Sequence, residues 1–224
     1  MQQHSRHRVY IHGAGRRGAS AWPGLAHEHG EFLSFAPGSS IGDQTEVLVQ
    51  NRAGRPSLLF AHSIGAVPAV LAAATGELDL SGLVLVEPAL YDIARGDTAI
   101  ERHIAVVTEA RAQAADGNLR GFWGILRPLM FGGSFDEALW ADERSVADHW
   151  STTNVPWGHG VRAEMLEGIP TLIVTGGWNE EYERIAALLA VRGAEHVALT
   201  GADHRPQDVP AFSDVVGGFE ARLR

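Results

Sequence analysis

The 224-residue chain has no cysteine. That excludes a disulfide framework, a cysteine nucleophile and a thiolate metal site, and it fits a reducing compartment. Lysine is absent too: all 18 basic residues are arginine. A Schiff-base lysine, a phosphate-loop lysine and a Ser-Lys dyad are therefore excluded; GC-rich codon usage is the bland explanation of the bias. No apolar run approaches the roughly 18 residues of a membrane span. The start, MQQHSRHRVYIHGAG, carries only a short, strand-like apolar run and no targeting core. The net charge is -9, with no basic cluster to interrupt it, which argues against nucleic acid as a partner. These absences predict a cytoplasmic protein that meets a small-molecule substrate, neither nucleic acid nor membrane, and leave its oligomeric state open.

What is present is core-forming material: 45% of the chain is hydrophobic, enough for one domain or one domain with an insertion. Short apolar runs alternate with longer helical patterns, the signature of a parallel sheet covered by helices. Candidate strands fall at 8–12, 31–36, 57–61, 82–87, 170–175 and 195–200. Most are continuous apolar runs, as strands buried on both faces should be. Helix candidates fall at 19–29, 45–51, 64–75, 180–191 and 210–223. In the last of these Phe212, Val215, Val216, Phe219 and Leu223 make one stripe. The alternation breaks once, over 88–168, which reads as three or four helices, with Pro128 ending or kinking one of them. The fold class is α/β: a mostly parallel, doubly wound, six-stranded sheet. Its core spans 1–87 and 169–224, and 88–168 form a helical cap inserted after the fourth strand. Ligands in open α/β sheets bind at the strands' C-terminal edge, where such an insertion would lie.

The stretch LLFAHSIGAVPAVLAAA, residues 58–74, places Ser63 between a buried strand and a helix. A nucleophile elbow requires this arrangement: the serine backbone is strained, so the residues two before and two after it must be small. Ala61 and Gly65 satisfy that demand. The pattern alone is weak in a chain with 26 glycines, but three further features point the same way. A glycine-rich loop, HGAG, follows the first strand and can offer the N–H of Ala14 to an oxyanion beside the N–H of Ile64; His12 is read as structural. GADHRPQ places His204 after the last strand, within reach of Ser63 as a general base. The order serine, acidic segment, histidine is that of one known arrangement of such groups.

The segments HGAG, AHSIGA, PTLIVTGGWNEE and GADHRPQ resemble those of the α/β-hydrolase fold serine hydrolases, and the resemblance covers nearly the whole chain. It implies a nucleophilic Ser63, a basic His204, oxyanion donors at Ala14 and Ile64, a cap over 88–168 and no cofactor. The first two antiparallel strands of larger members are missing. Ala61 replaces the first glycine of G-x-S-x-G, a mild change. Asn179 stands where the family's turn ends in aspartate, and that change is serious: an amide for the acid lowers kcat about 10⁴-fold in a serine protease. Three resolutions remain open. Glu87 could supply the acid from the end of the fourth strand, Glu180 or Glu181 could replace it in a shifted turn, or Asn179 could orient the histidine as a neutral group. Asp203 is read as a loop residue.

The implied activity is hydrolysis of a small, apolar carboxylic ester or lactone through an acyl-enzyme. Trp123 in the cap and Trp178 in the acid loop are the candidate substrate-binding residues, with Arg127 and Arg205 as possible charged contacts. A carbon–carbon lyase of the hydroxynitrile-lyase kind on the same scaffold is one alternative, and a non-catalytic ligand-binding homologue another. His27 and His29 lack a third partner, so no metal site is expected.

Overall fold

The computed structural model describes residues 6–25, 30–51 and 54–223. The chain divides into two compact units, Met1–Ala94 with Val155–Arg224, and Arg95–Asn154.

The first unit is built on six strands: β1 (His7–Ile11), β2 (Glu31–Phe32), β3 (Ser57–His62), β4 (Leu80–Val86), β5 (Thr171–Thr175) and β6 (Glu195–Ala198). They form one sheet of order β2-β1-β3-β4-β5-β6, and every pair is parallel. β3 is buried at every residue, so its continuous apolar run follows from having helices on both faces. The chain first moves outward from β1 to β2 and then returns to the other side of β1 at β3. The strand order therefore reverses between β1 and β3, the place where open sheets bind ligands. On one face Tyr10 stacks on Phe60 and Phe32 with ring centroids 4.6 and 4.5 Å apart. The same cluster buries Trp22 and the Phe212, Val216 and Phe219 stripe of α7 (Ala211–Glu220). Arg8 at the start of the sheet grips Glu220 at the end of α7 through two hydrogen bonds of 2.8 and 2.7 Å.

The remaining α-helices of this unit are α1 (Ile41–Gln50), α2 (Ala66–Ala74) and α6 (Glu180–Ala190). The second unit holds α3 (Thr98–Ala115), α4 (Leu119–Phe131) and α5 (Trp140–Thr152). Glu143 ties α5 to α4 by accepting from Trp123 Nε1 at 2.6 Å and Arg127 Nε at 2.9 Å. Among the described residues no helix is long and apolar enough to cross a membrane.

Four local expectations are corrected. The helix expected at 19–29 is, over its described part, a pair of 3-10 turns, Gly18–Ala21 and Pro23–Leu25; Pro23 has no N–H to continue an α-helical ladder. The rest of that segment, with His27 and His29, lies outside the described residues. β2 pairs with β1 at Glu31 and Phe32 and makes one further bond, from the Leu33 N–H to the Tyr10 carbonyl, before the Phe35 N–H turns to His12 Nε2 (3.3 Å) instead of to the sheet. α1 begins at Ile41, before the expected 45, because Ser40 and Asp43 close a capping box. Pro128 does not end its helix, which runs on to Phe131 and stops at Gly132 and Gly133, both at φ +70°.

Candidate active site

β3 delivers Ser63 to the C-terminal edge of the sheet, where a single 3-10 turn, Ser63–Gly65, leads into α2. Ser63 has φ +53°, a left-handed conformation that costs an L residue about 1–2 kcal/mol. Its neighbours show why they are small. A Cβ on Gly65 would lie 2.4 Å from the His12 carbonyl oxygen, and Ala61 is fully buried. Gly13 is equally constrained, since a Cβ there would meet His62 Nδ1 at 2.9 Å and Ser63 Cβ at 3.0 Å. The glycine loop thus closes directly onto the serine, bringing Ala14 alongside. Ile64, at the start of the helical run, presents a backbone N–H that belongs to an unsatisfied helix N-terminus.

His12 fixes the loop. It lies in the buried interior, and its Nδ1 is 2.7 Å from the Gly13 carbonyl oxygen. Because Nε2 accepts from the Phe35 N–H, Nδ1 carries the proton and donates to that carbonyl. The N–H of Ala14, on the same peptide, is thereby turned to the opposite side. Burial pushes the imidazole pKa down and keeps it neutral.

Glu87 directly follows β4. It is fully buried and has φ +46°. Its Oε1 accepts from the Gly176 N–H at 2.6 Å, and its Oε2 accepts from Trp178 Nε1 at 3.0 Å. The Nδ1 of His204 lies 3.2 Å from the same Oε2. A carboxylate only accepts, so Nδ1–H is the donor and Nε2 is left as the basic nitrogen. Three donors converge on this carboxylate, as a buried charge requires. Gly176 makes the approach possible, since any Cβ there would sit 1.9 Å from the Asp203 carbonyl oxygen. Asp203 itself has φ +49°. Ser63, Glu87 and Asp203 are the non-glycine residues with positive φ among those described, and all three border this edge.

Asn179 does something else. Its Oδ1 accepts from the Glu181 N–H at 2.8 Å and caps α6. Glu180 is exposed and Glu181 accepts from the Tyr91 hydroxyl at 2.5 Å. Trp178 is half-exposed, with its ring centroid 6.1 Å from that of His204. Trp123 is enclosed within the helical unit and committed to Glu143. Arg205 pairs with Asp208 and donates to the Ala21 carbonyl, and Arg127 is held by Glu143.

Two neighbours escaped sequence reasoning. His62 donates from Nε2 to the backbone carbonyl of His204 at 2.9 Å, the two rings lying 4.8 Å apart. Burial first, and then the neighbouring His204, lower its pKa well below the ordinary value, so it is a neutral strut. Its place beside the serine was the available signal. Tyr182, on α6, is buried with its ring 5.1 Å from that of His204, and burial first, then the carboxylates of Glu87 and Glu181, push its pKa up. Nothing local in the sequence marks it. Among the described residues no cluster of three or more histidine, aspartate or glutamate side chains is arranged to hold a metal.

No family model matches the chain and no curated protein does, but many solved structures share its shape. One is MenH from S. aureus, at TM-score 0.63 and 16% identity over 97% of this chain and 94% of that one. A carboxylesterase of the ammonia-oxidizing thaumarchaeon Nitrososphaera gargenis aligns at TM-score 0.61 and 15% identity, covering 98% and 91%. The thioesterase domain of the curacin biosynthetic pathway aligns at 0.51 and 21%, covering 96% and 91%. Likeness at such identities speaks to architecture, and with the parallel six-stranded sheet and the elbow at its reversal point it means that this chain has the α/β-hydrolase fold.

Proposed function

We propose that the protein is a serine hydrolase that cleaves a small, apolar carboxylic ester or lactone through an acyl-enzyme on Ser63, with His204 as general base and Glu87 as the acid that orients it. The observation that carries this reading is the 3.2 Å contact between His204 Nδ1 and the buried Glu87 carboxylate, at the edge where Ser63 stands in a strained elbow. His204 Nε2 takes the proton of Ser63 as Oγ attacks the carbonyl. The Ile64 and Ala14 N–H groups receive the oxyanion, favoured by the N-terminus of the helical run behind them. His204 then gives its proton to the leaving oxygen, and water repeats the sequence on the acyl-enzyme. Glu87 stabilises the imidazolium in both halves, so the asparagine at 179 needs no catalytic role. The half-exposed Trp178 supplies an apolar wall, which suits an uncharged acyl group. The helical unit would serve as the cap, and a cytoplasmic setting belongs to the same proposal.

A fluorophosphonate probe tests this directly. The proposal expects stoichiometric labelling at Ser63, turnover of p-nitrophenyl acetate, and loss of both in Ser63→Ala. Labelling without ester turnover would favour a lyase, and absence of both a non-catalytic binding protein. Ester turnover that survives Ser63→Ala would overturn the site.

A further inference from the structure

Glu87 comes from the end of β4, but the turn after β5 holds its carboxylate. The Gly176 N–H donates to Oε1 at 2.6 Å and the indole Nε1–H of Trp178 donates to Oε2 at 3.0 Å. With a donor on each oxygen, the carboxyl group is fixed in its plane. Oε2 has two lone pairs: the indole takes one, and His204 Nδ1–H meets the other at 3.2 Å. That contact is longer than the roughly 2.7–2.9 Å of a charge-assisted bond to a carboxylate oxygen, as expected where one oxygen serves two donors. Trp178 thus reaches the buried acid with its N–H while the residue as a whole is half-exposed.

We propose that Trp178 is a positioning residue of the catalytic pair: its indole N–H aims the remaining lone pair of Glu87 Oε2 at His204 and divides the charge of that oxygen between two donors, which keeps His204 free to act as a base. This deepens the reading above and rests on His204 serving Ser63 as general base. Without the indole donor, the charge of Oε2 falls on His204 alone and the pair binds a proton more tightly. Strongly interacting groups titrate as a pair, so the direction is the same whichever of the two carries the proton. The other charged or titratable groups around the pair do not depend on the indole. His62, at the end of β3, is kept neutral by burial. Burial likewise raises the pKa of Tyr91, after β4, and of Tyr182, on α6. Glu181 accepts from Tyr91, Arg205 pairs with Asp208, and Asp203 is exposed.

The pH profile separates this role from that of a wall. Trp178→Phe keeps an aromatic ring and removes the N–H. If it fails to fold, site-specific replacement of Trp178 by β-(3-benzothienyl)alanine keeps the bicyclic shape with sulfur in place of the N–H. In either variant the acid limb of kcat/KM for p-nitrophenyl acetate is expected to move up by about one pH unit, as loss of a hydrogen bond to a charged group predicts. The NMR titration of the His204 Cε1–H, assigned by its loss in His204→Asn, should move with it. A side chain that only walls the substrate would change KM and leave both midpoints within about 0.3 unit of wild type; that result, or a downward shift, overturns the proposal. The NMR titration needs no turnover, so it decides the role of Trp178 independently. A wild-type protein that neither cleaves the ester nor reacts with a fluorophosphonate, while the His204 midpoint still rises in Trp178→Phe, overturns instead the reading of Ser63.

Discussion

Ser63, Glu87 and Asp203 hold left-handed backbones without being glycine. Strain of this kind persists only where the surroundings over-determine it. Here the surroundings are identifiable: the close approach of Gly13 and Gly65 to the loop and elbow backbone, and that of Gly176 to Asp203. His62 adds a pH signature. Its folded pKa is depressed by burial, so below the ordinary histidine value, near 6.5, the unfolded chain binds a proton that the folded one refuses. Stability is therefore held above that value and lost as pH falls through it, by up to about 1.4 kcal/mol per pH unit for one such group. Thermal unfolding measured from pH 7.5 to 5 should show that slope, and His62→Asn, which keeps an N–H donor and cannot be protonated there, should flatten it. An unchanged slope in the variant would show that other groups govern the acid limb.

At the scale of elements, β3, β4 and β5 were legible because burial on both faces demands continuous apolar runs, and the sequence has them at 57–61, 82–87 and 170–175. β2 was overestimated because its end is decided by a contact with His12, 23 positions away. The start of α1 was legible in principle from Ser40 and Asp43, three residues apart, but a capping box is a polar signal that apolar periodicity does not carry. Its capping box gives a clean check: Ser40→Ala should destabilise the fold by about 1 kcal/mol in chemical denaturation, while Thr45→Ala, outside the box, should do so by less. The same chemistry explains Asn179. The turn GGWN resembles an acid-bearing turn, but in this chain it is the entrance to α6, and an asparagine is among the side chains that caps prefer. A motif aligned by position can thus keep its backbone and change its work.

At the scale of the molecule, the site exists because parallel strands put their C-terminal ends on one edge. Ser63 follows β3, Glu87 follows β4 and His204 follows β6; the acid and the histidine are 117 positions apart in the chain. Sequence order can name the candidates, and only the register of β4 against β5, with Val86 opposite Val174, decides which carboxylate meets the imidazole. That is why Ser63 and His204 were legible and the third partner stayed open among Glu87, Asn179, Glu180 and Glu181. The contact of Tyr91 with Glu181 was illegible for the same reason, since the two are 90 positions apart. The most direct test of the account is kcat/KM for p-nitrophenyl acetate in two variants. Glu87→Gln keeps the shape and removes the charge, and should lower the value by about 10³–10⁴-fold. Asn179→Ser keeps a capping oxygen and removes the amide, and should leave it within about threefold of wild type. The opposite pattern, with Glu87→Gln near wild type and Asn179→Ser inactive, would contradict it.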